Sequence, residues 1–223
     1  MGLVQTAVAG FAEYSKIETL FERGEDFVVD PSRLKKSVLG TITLWDATEK
    51  IDGTNIRVML SETGDIQFGG RSDNAQLPAD LLMYLVRTFQ QDALKAAFWL
   101  EGKPVSAVLY GEGYGAGIQK GGCYRPDKAF ILFDCLVDGL WWLDRAALLD
   151  VAGKLAIDTV PYLGRMTLEE IVSLTREPFA SKIGTGQAEG IVARPIETLY
   201  DKRRERIIIK LKTRDFVKGK RMK

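Results

Sequence analysis

The chain has 223 residues, 46% of them hydrophobic, and a formal net charge of +1 from 31 Lys/Arg against 30 Asp/Glu, enough apolar material to bury a substantial core. It contains no histidine, which excludes Ser-His-Asp triads, histidine acid/base catalysis and His-ligated zinc. Its two cysteines, Cys123 and Cys135, form neither a multi-bridge framework nor a CxxC pair, so the expected compartment is reducing and cytoplasmic.

Taken in chain order, "ATEKIDGTNIRV" (47–58) reads as strand, yet places Lys50, Asp52, Gly53 and Asn55 within a few positions. "IRVMLSETGDIQFGG" has two β-rich runs around a Gly-Asp turn signal and predicts a hairpin over 56–70. Helical apolar spacing opens after Pro78 and stops before Gly102, which predicts one helix over 79–99. "PVSAVLYGEGYG" reads as a strand that enters a glycine-rich loop, with five glycines in residues 113–122 that would let backbone approach a ligand. "KAFILFDCLVDGLWWL" predicts a second hairpin turning at Asp138-Gly139. Helices are expected over 144–153 and 167–176, the second with Thr167 and Glu170 as a capping box. "EGIVARP" and "ERIIIKLK" supply two last strands. Hairpins alternating with isolated helices give an α+β fold.

The most apolar stretch is interrupted by Asp134 and Asp138 and falls short of the roughly 20 apolar residues a membrane span needs. The N-terminus lacks a basic region followed by an apolar run, so neither a signal peptide nor a membrane partner is expected. No linker or repeat divides the sequence, so a single domain over 1–223 is expected. Charge is unevenly spread: residues 202–223 hold 11 Lys/Arg against 2 acidic residues, leaving 20 against 28 in the first 201. That basic end, with a tail over 213–223, is either a phosphate or nucleic-acid contact or a solvated segment.

Lys50 is either a lysine on a solvent face or a nucleophile that attacks a phosphorus centre once it has lost a proton. Lys210 and Lys212, two apart in a strand, share a face. They either guard a sheet edge or grip an anion and, being cations, favour the neutral amine of a neighbouring Lys50. Glu189 at a strand mouth can hold a divalent cation, and Glu112 ends another strand before the glycines. The glycines fit neither a P-loop nor a Rossmann fingerprint.

Taken in order, KIDG (50–53), Glu112, "FILFD" (130–134), "EGIVAR" (189–194) and "KLK" (210–212) resemble the five motifs of the covalent nucleotidyltransferase superfamily. "EKIDGTN", "GGRSDNAQLP" and "GEGYGAGIQK" are similar to the branch of phage RNA ligase 2 and the RNA-editing ligases, and "YSKIETL" resembles the opening segment of that family. The resemblance implies an ATP-grasp-like nucleotidyltransferase domain of antiparallel sheets flanked by helices, here with no C-terminal OB or helical domain. It implies an ATP-dependent RNA ligase with Lys50 adenylated and with Mg2+ or Mn2+ as cofactor.

The same resemblance implies roles for individual residues: Asn55 and Arg71 on phosphates, Glu112 on the ribose, Phe133 stacked on adenine, Glu189 on the metal, Lys210 and Lys212 on the phosphates. Asp52 stands where some relatives have His. Read without the resemblance, Phe133 is an aromatic in an apolar hairpin and belongs to the core. RNA ends or a nicked duplex are the expected partner. A minimal DNA ligase, a GTP-using capping enzyme and a non-catalytic nucleotide or nucleic-acid binding module are the alternatives.

Overall fold

The structure, a computed structural model, describes residues 13–24 and 28–216. The basic tail residues Lys218, Lys220, Arg221 and Lys223 lie outside the described residues. In chain order the first strands are β1 (Glu18–Thr19), β2 (Phe21–Arg23), β3 (Val29–Leu34), β4 (Trp45–Lys50), β5 (Thr54–Leu60) and β6 (Ile66–Gly69). Helices α1 (Ala79–Thr88) and α2 (Gln91–Phe98) follow, then β7 (Trp99–Leu100), β8 (Lys103–Pro104), β9 (Ala107–Tyr114), β10 (Ala129–Val137) and β11 (Trp141–Trp142). The chain continues with α3 (Arg145–Leu155), β12 (Asp158–Thr159), β13 (Tyr162–Met166), α4 (Leu168–Arg176), β14 (Gly190–Pro195) and β15 (Ile209–Lys212). The α+β class is as expected.

These elements fall into two compact units, each assembled from separate stretches of chain. One contains Tyr14, Thr54–Tyr114 and Asp127–Thr159. Its sheet runs β11-β10-β9-β5-β6, with β12 pairing β10. The expected hairpin at 56–70 is β5–β6, and the one over 128–143 is β10–β11, which turns through Asp138, Gly139 and Leu140 with Asp138 and Gly139 both at positive φ and the Leu140 N–H donating to the Val137 carbonyl at 3.1 Å. Strand β9 runs on through Gly113 and Tyr114 before the loop begins. Gly111 and Gly113 are packing positions: a Cβ on Gly111 would overlap the Phe130 ring, and one on Gly113 would lie 2.6 Å from Leu81 of α1.

The single helix expected over 79–99 is two helices, broken at Phe89 and Gln90. At about 100° per residue, the core stripe of Leu81 and Leu85 would carry Leu94 roughly 220° round an unbroken helix, away from the sheet. The break resets the phase so that Leu94 and Phe98 are buried too, and Phe89 packs its ring edge-on to Phe130 at 5.3 Å.

The other unit contains Ser15–Gly53, Gly115–Pro126 and the chain from Val160 onward. Its sheet has the order β1-β15-β14-β4-β13, with β1 parallel to β15 and the remaining pairs antiparallel. Trp45, Ala47, Ile191, Ala193, Ile209 and Leu211 are buried on one face of this sheet, joined by Ile171 of α4. Burying each large aliphatic side chain there is worth about 1.5–3 kcal/mol. The capping box opens α4 as expected: Thr167 Oγ1 accepts the Glu170 N–H, and the Glu170 carboxylate accepts the Thr167 N–H at 2.8 Å. Among the described residues no helix is long and apolar enough to cross a membrane.

Candidate functional site

The second unit gathers Lys50, Glu189, Lys210 and Lys212 through strand register. Strand β14 lies between β4 and β15, and Gly190 at its start pairs with Lys50 on one side and Lys212 on the other. Two lysines therefore flank one glycine across three strands. Gly190 takes φ +157°, and a Cβ there would overlap the Leu211 carbonyl and lie 2.7 Å from Lys212 Cα. Only glycine fits so close an approach. The residue before it, Glu189, carries its carboxylate to both lysines: Oε2 is 2.7 Å from Lys50 Nζ and Oε1 pairs with Lys212 Nζ, while the Arg214 guanidinium stands at 4.0 Å. Burial alone would raise the Glu189 pKa, but the charges and hydrogen bonds of Lys50 and Lys212 outweigh it and hold the carboxyl below its ordinary value.

Neighbouring residues fix this arrangement. Glu49, on the opposite face of β4 from Lys50, is 1% exposed and accepts the Ser181 hydroxyl at 2.5 Å and the Lys182 N–H at 2.8 Å, anchoring the loop that leads into Glu189. Buried Asp215 accepts the Lys212 N–H at 2.9 Å and the Arg23 guanidinium at 2.6 Å. Tyr124 accepts the Asp52 N–H at 3.1 Å in the turn after Lys50, and burial of the phenol pushes its pKa up to about 12. Lys210 lies one pleat before Lys212, opposite Val192, and both lysines are half-buried while Ile209 and Leu211 fill the core. The shared face expected for the lysines is present. The charge nearest to Lys50, however, is the Glu189 carboxylate.

The first unit holds Asn55, Arg71, Glu112 and Phe133. Asn55 and Glu112 are directly opposed on β5 and β9. Asn55 Oδ1 is buried with no hydrogen-bond partner among the described residues, an acceptor that suits a donor supplied from outside the chain. Phe133 sits at a register shift in the β10–β9 ladder, half-buried between fully buried Leu132 and Asp134. Tyr14 meets the Phe133 ring edge-on at 5.0 Å and donates its hydroxyl to Asp134 at 2.7 Å. The bulge thus turns one aromatic of an apolar strand out of the core. Arg71 is exposed in the loop after β6. Its neighbours are held by Arg57, 1% exposed, whose Nε donates to the Gly70 carbonyl at 2.8 Å and whose terminal nitrogen donates to Asp73 at 2.7 Å.

Sequence reasoning passed over Glu49, Arg57, Gly190 and Asp215. Only Gly190 left a trace in the sequence, as the glycine between Glu189 and an aliphatic strand. The other three are polar residues whose partners are fixed by tertiary structure.

The family model described as RNA ligase matches residues 43–212, a span that runs from before Lys50 to Lys212. The chain belongs to the RNA ligase family. Among solved structures, this RNA ligase family member is similar to Naegleria gruberi RNA ligase. A mutant of that protein with AMP and Mn gives a TM-score of 0.62 at 18% identity, covering 90% of this chain and 60% of that one. The form with PPi gives the same TM-score and identity, with 93% and 62% covered. A mutant with ATP and Mn covers 90% and 59%. At that identity the likeness is one of fold, and the chain spans about three fifths of the length of these structures. No curated protein matches the sequence.

Proposed function

We propose that this chain is an ATP-dependent RNA ligase that acts through lysine adenylation. The observation that carries the reading is the Lys50–Glu189–Lys212 constellation around Gly190, in a chain whose family is RNA ligase. In the first step the Lys50 amine gives up its pairing with Glu189 and a proton, then attacks the α-phosphorus of ATP. A P–N bond forms, the α–β phosphoanhydride bond breaks, and pyrophosphate leaves. Next an oxygen of an RNA 5′-phosphate attacks the same phosphorus, the P–N bond breaks and Lys50 takes back a proton. Finally a 3′-hydroxyl attacks the 5′-phosphate, loses its proton and releases AMP.

Lys210 and Lys212 are assigned to the phosphates, Asn55 and Arg71 to phosphate contacts, Glu112 to the ribose hydroxyls and Phe133 to the adenine face. Phosphoryl transfer depends on positioning and charge neutralisation, for which lysines and carboxylates suffice without histidine. Among the described residues no three carboxylate or cysteine side chains could hold a metal by themselves. Glu189 is a single carboxylate donor. That fits Mg2+ or Mn2+ bound through one carboxylate, water and substrate phosphates, where the ion would neutralise phosphate charge.

Residues 1–223 are taken as one adenylyltransferase domain working in the cytoplasm. Incubation with Mg2+ and α-labelled ATP should give a protein label stable to base and released by acid, as a P–N bond requires. Label from GTP alone would indicate a capping-type enzyme, and no label from either nucleotide a binding module. Nicked duplexes with RNA or DNA at the 3′-hydroxyl side then separate RNA joining from a minimal DNA ligase.

A further inference from the structure

Several basic side chains of the second unit are matched by acids: Arg23 by Asp215, Arg33 by Glu22, Lys35 and Lys36 by Glu18. Lys202, Arg203 and Arg204 differ. They are three consecutive exposed residues whose side chains have no ion-pair partner among the described residues. They occupy the tip of a ribbon that prolongs the β14–β15 hairpin, where Tyr200 bridges Arg206 and the Ile207 N–H donates to the Leu199 carbonyl at 2.8 Å.

The tip has a defined internal hydrogen-bonding pattern. The Asp201 N–H donates to the Glu205 carbonyl at 2.8 Å and the Arg204 N–H to the Asp201 carbonyl at 2.9 Å. One Asp201 carboxylate oxygen accepts the N–H groups of Arg203 at 2.8 Å and Glu205 at 3.0 Å. Arg204 is held at φ +61°, a conformation that costs a residue with a Cβ about 1–2 kcal/mol. The acid best placed to neutralise the tip is committed elsewhere: the other Asp201 oxygen takes Lys36 Nζ at 2.8 Å. Within the tip, Glu205 is the remaining acid beside the three cations, and among the described residues it forms no ion pair with them. Tyr200, beside them, is 52% exposed.

Three adjacent like charges repel one another, and here the backbone conformation keeps them together while the ion pair of Asp201 is made with Lys36 rather than with any of the three. A row of phosphates would offset the repulsion, and an exposed tyrosine ring suits base stacking. We propose that the 199–206 ribbon is a second RNA contact, gripping backbone phosphates remote from the joining site. This rests on the RNA-joining reading above. From Arg206 to Lys212 the ribbon covers about 20 Å at ~3.3 Å per residue. At ~3.4 Å per nucleotide, the phosphates it meets lie about six nucleotides from the one at Lys212.

The test is RNA binding by fluorescence anisotropy across a salt series, comparing wild type with K202A/R203A/R204A on nicked RNA duplexes. On arms of about twelve base pairs the triple variant should bind about tenfold more weakly, with a log–log salt slope shallower by about two to three. On arms of about four base pairs the two proteins should bind alike, because the ribbon is then out of reach. Adenylation of Lys50 by labelled ATP should be equal in both, which shows that the variant is folded. Equal Kd and slope on long arms overturns the contact, and an equal loss on short arms overturns its remote placement. A wild type that is adenylated but binds neither duplex contradicts the RNA-joining reading itself, a result separable from failure of the ribbon alone.

Discussion

Glu189 is the residue on which the second unit's charges converge, and its substitution separates electrostatics from packing. Glu189→Gln leaves two half-buried ammonium groups without their shared anion and should cost about 1–3 kcal/mol in urea unfolding at neutral pH. Burial opposes ionisation of Glu189 but the two lysines prevail, so its folded pKa lies below the ordinary 4.5. As pH falls below 4.5 the unfolded chain takes up this proton before the folded one does, and the stability contributed by the ion pairs drains away. Wild type should therefore lose stability in that acid range more steeply than Glu189→Gln, which the two stability–pH curves measure directly. Gly190→Ala tests the backbone at the same point. A Cβ there meets the Leu211 carbonyl in a left-handed conformation, and the melting midpoint should fall by the equivalent of about 2–4 kcal/mol.

The elements were legible where the sequence carried a local signal. Thr167 with Glu170, Asp138 with Gly139, and the alternation in "IIIKLK" each name their own geometry, and each is found in place. The helix break at Phe89 was hidden because Phe89 is itself apolar and continues the stripe of Leu81 and Leu85; only the phase of Leu94 and Phe98 betrays it. Strand β13 carries no clean alternation and contains Gly164 at positive φ, so nothing local marks it. Partners remote in sequence were out of reach in the same way: nothing in "NIRVML" announces that Arg57 turns back to Gly70 and Asp73. That pair carries a prediction about the loop bearing Arg71. Asp73→Ala removes an ion pair whose acid is 85% exposed but whose Arg57 partner is 1% exposed, so the protein should lose about 1–3 kcal/mol as the buried guanidinium gives up its counter-ion. KM for ATP in the adenylation step should rise about two- to fivefold as the loop loosens, with kcat nearly unchanged. A change in kcat with KM constant would contradict this positioning role.

Across the whole chain, the motifs read in the sequence divide between the two compact units: Lys50, Glu189, Lys210 and Lys212 in one, Asn55, Arg71, Glu112 and Phe133 in the other. The division passes between Gly53 and Thr54, inside "KIDGTN", so one short motif supplies residues to both. Several of these stretches were exposed by a distinctive glycine: Gly53 after Asp52, Gly113 after Glu112, Gly190 after Glu189; Glu112 and Phe133 themselves lie inside β9 and β10. Sequence order did not expose what holds them, since Glu49, Arg57 and Asp215 act through partners far along the chain. Covalent attachment of AMP to Lys50 is the central claim, and mass spectrometry of the protein after incubation with ATP and Mg2+ tests it most directly. Wild type should gain one AMP, mapped to the peptide containing Lys50, while Lys50→Ala gains none and still unfolds as one cooperative transition, at a midpoint lowered by loss of the Glu189 pairing. AMP on another residue, or undiminished uptake by a folded Lys50→Ala protein, would contradict it.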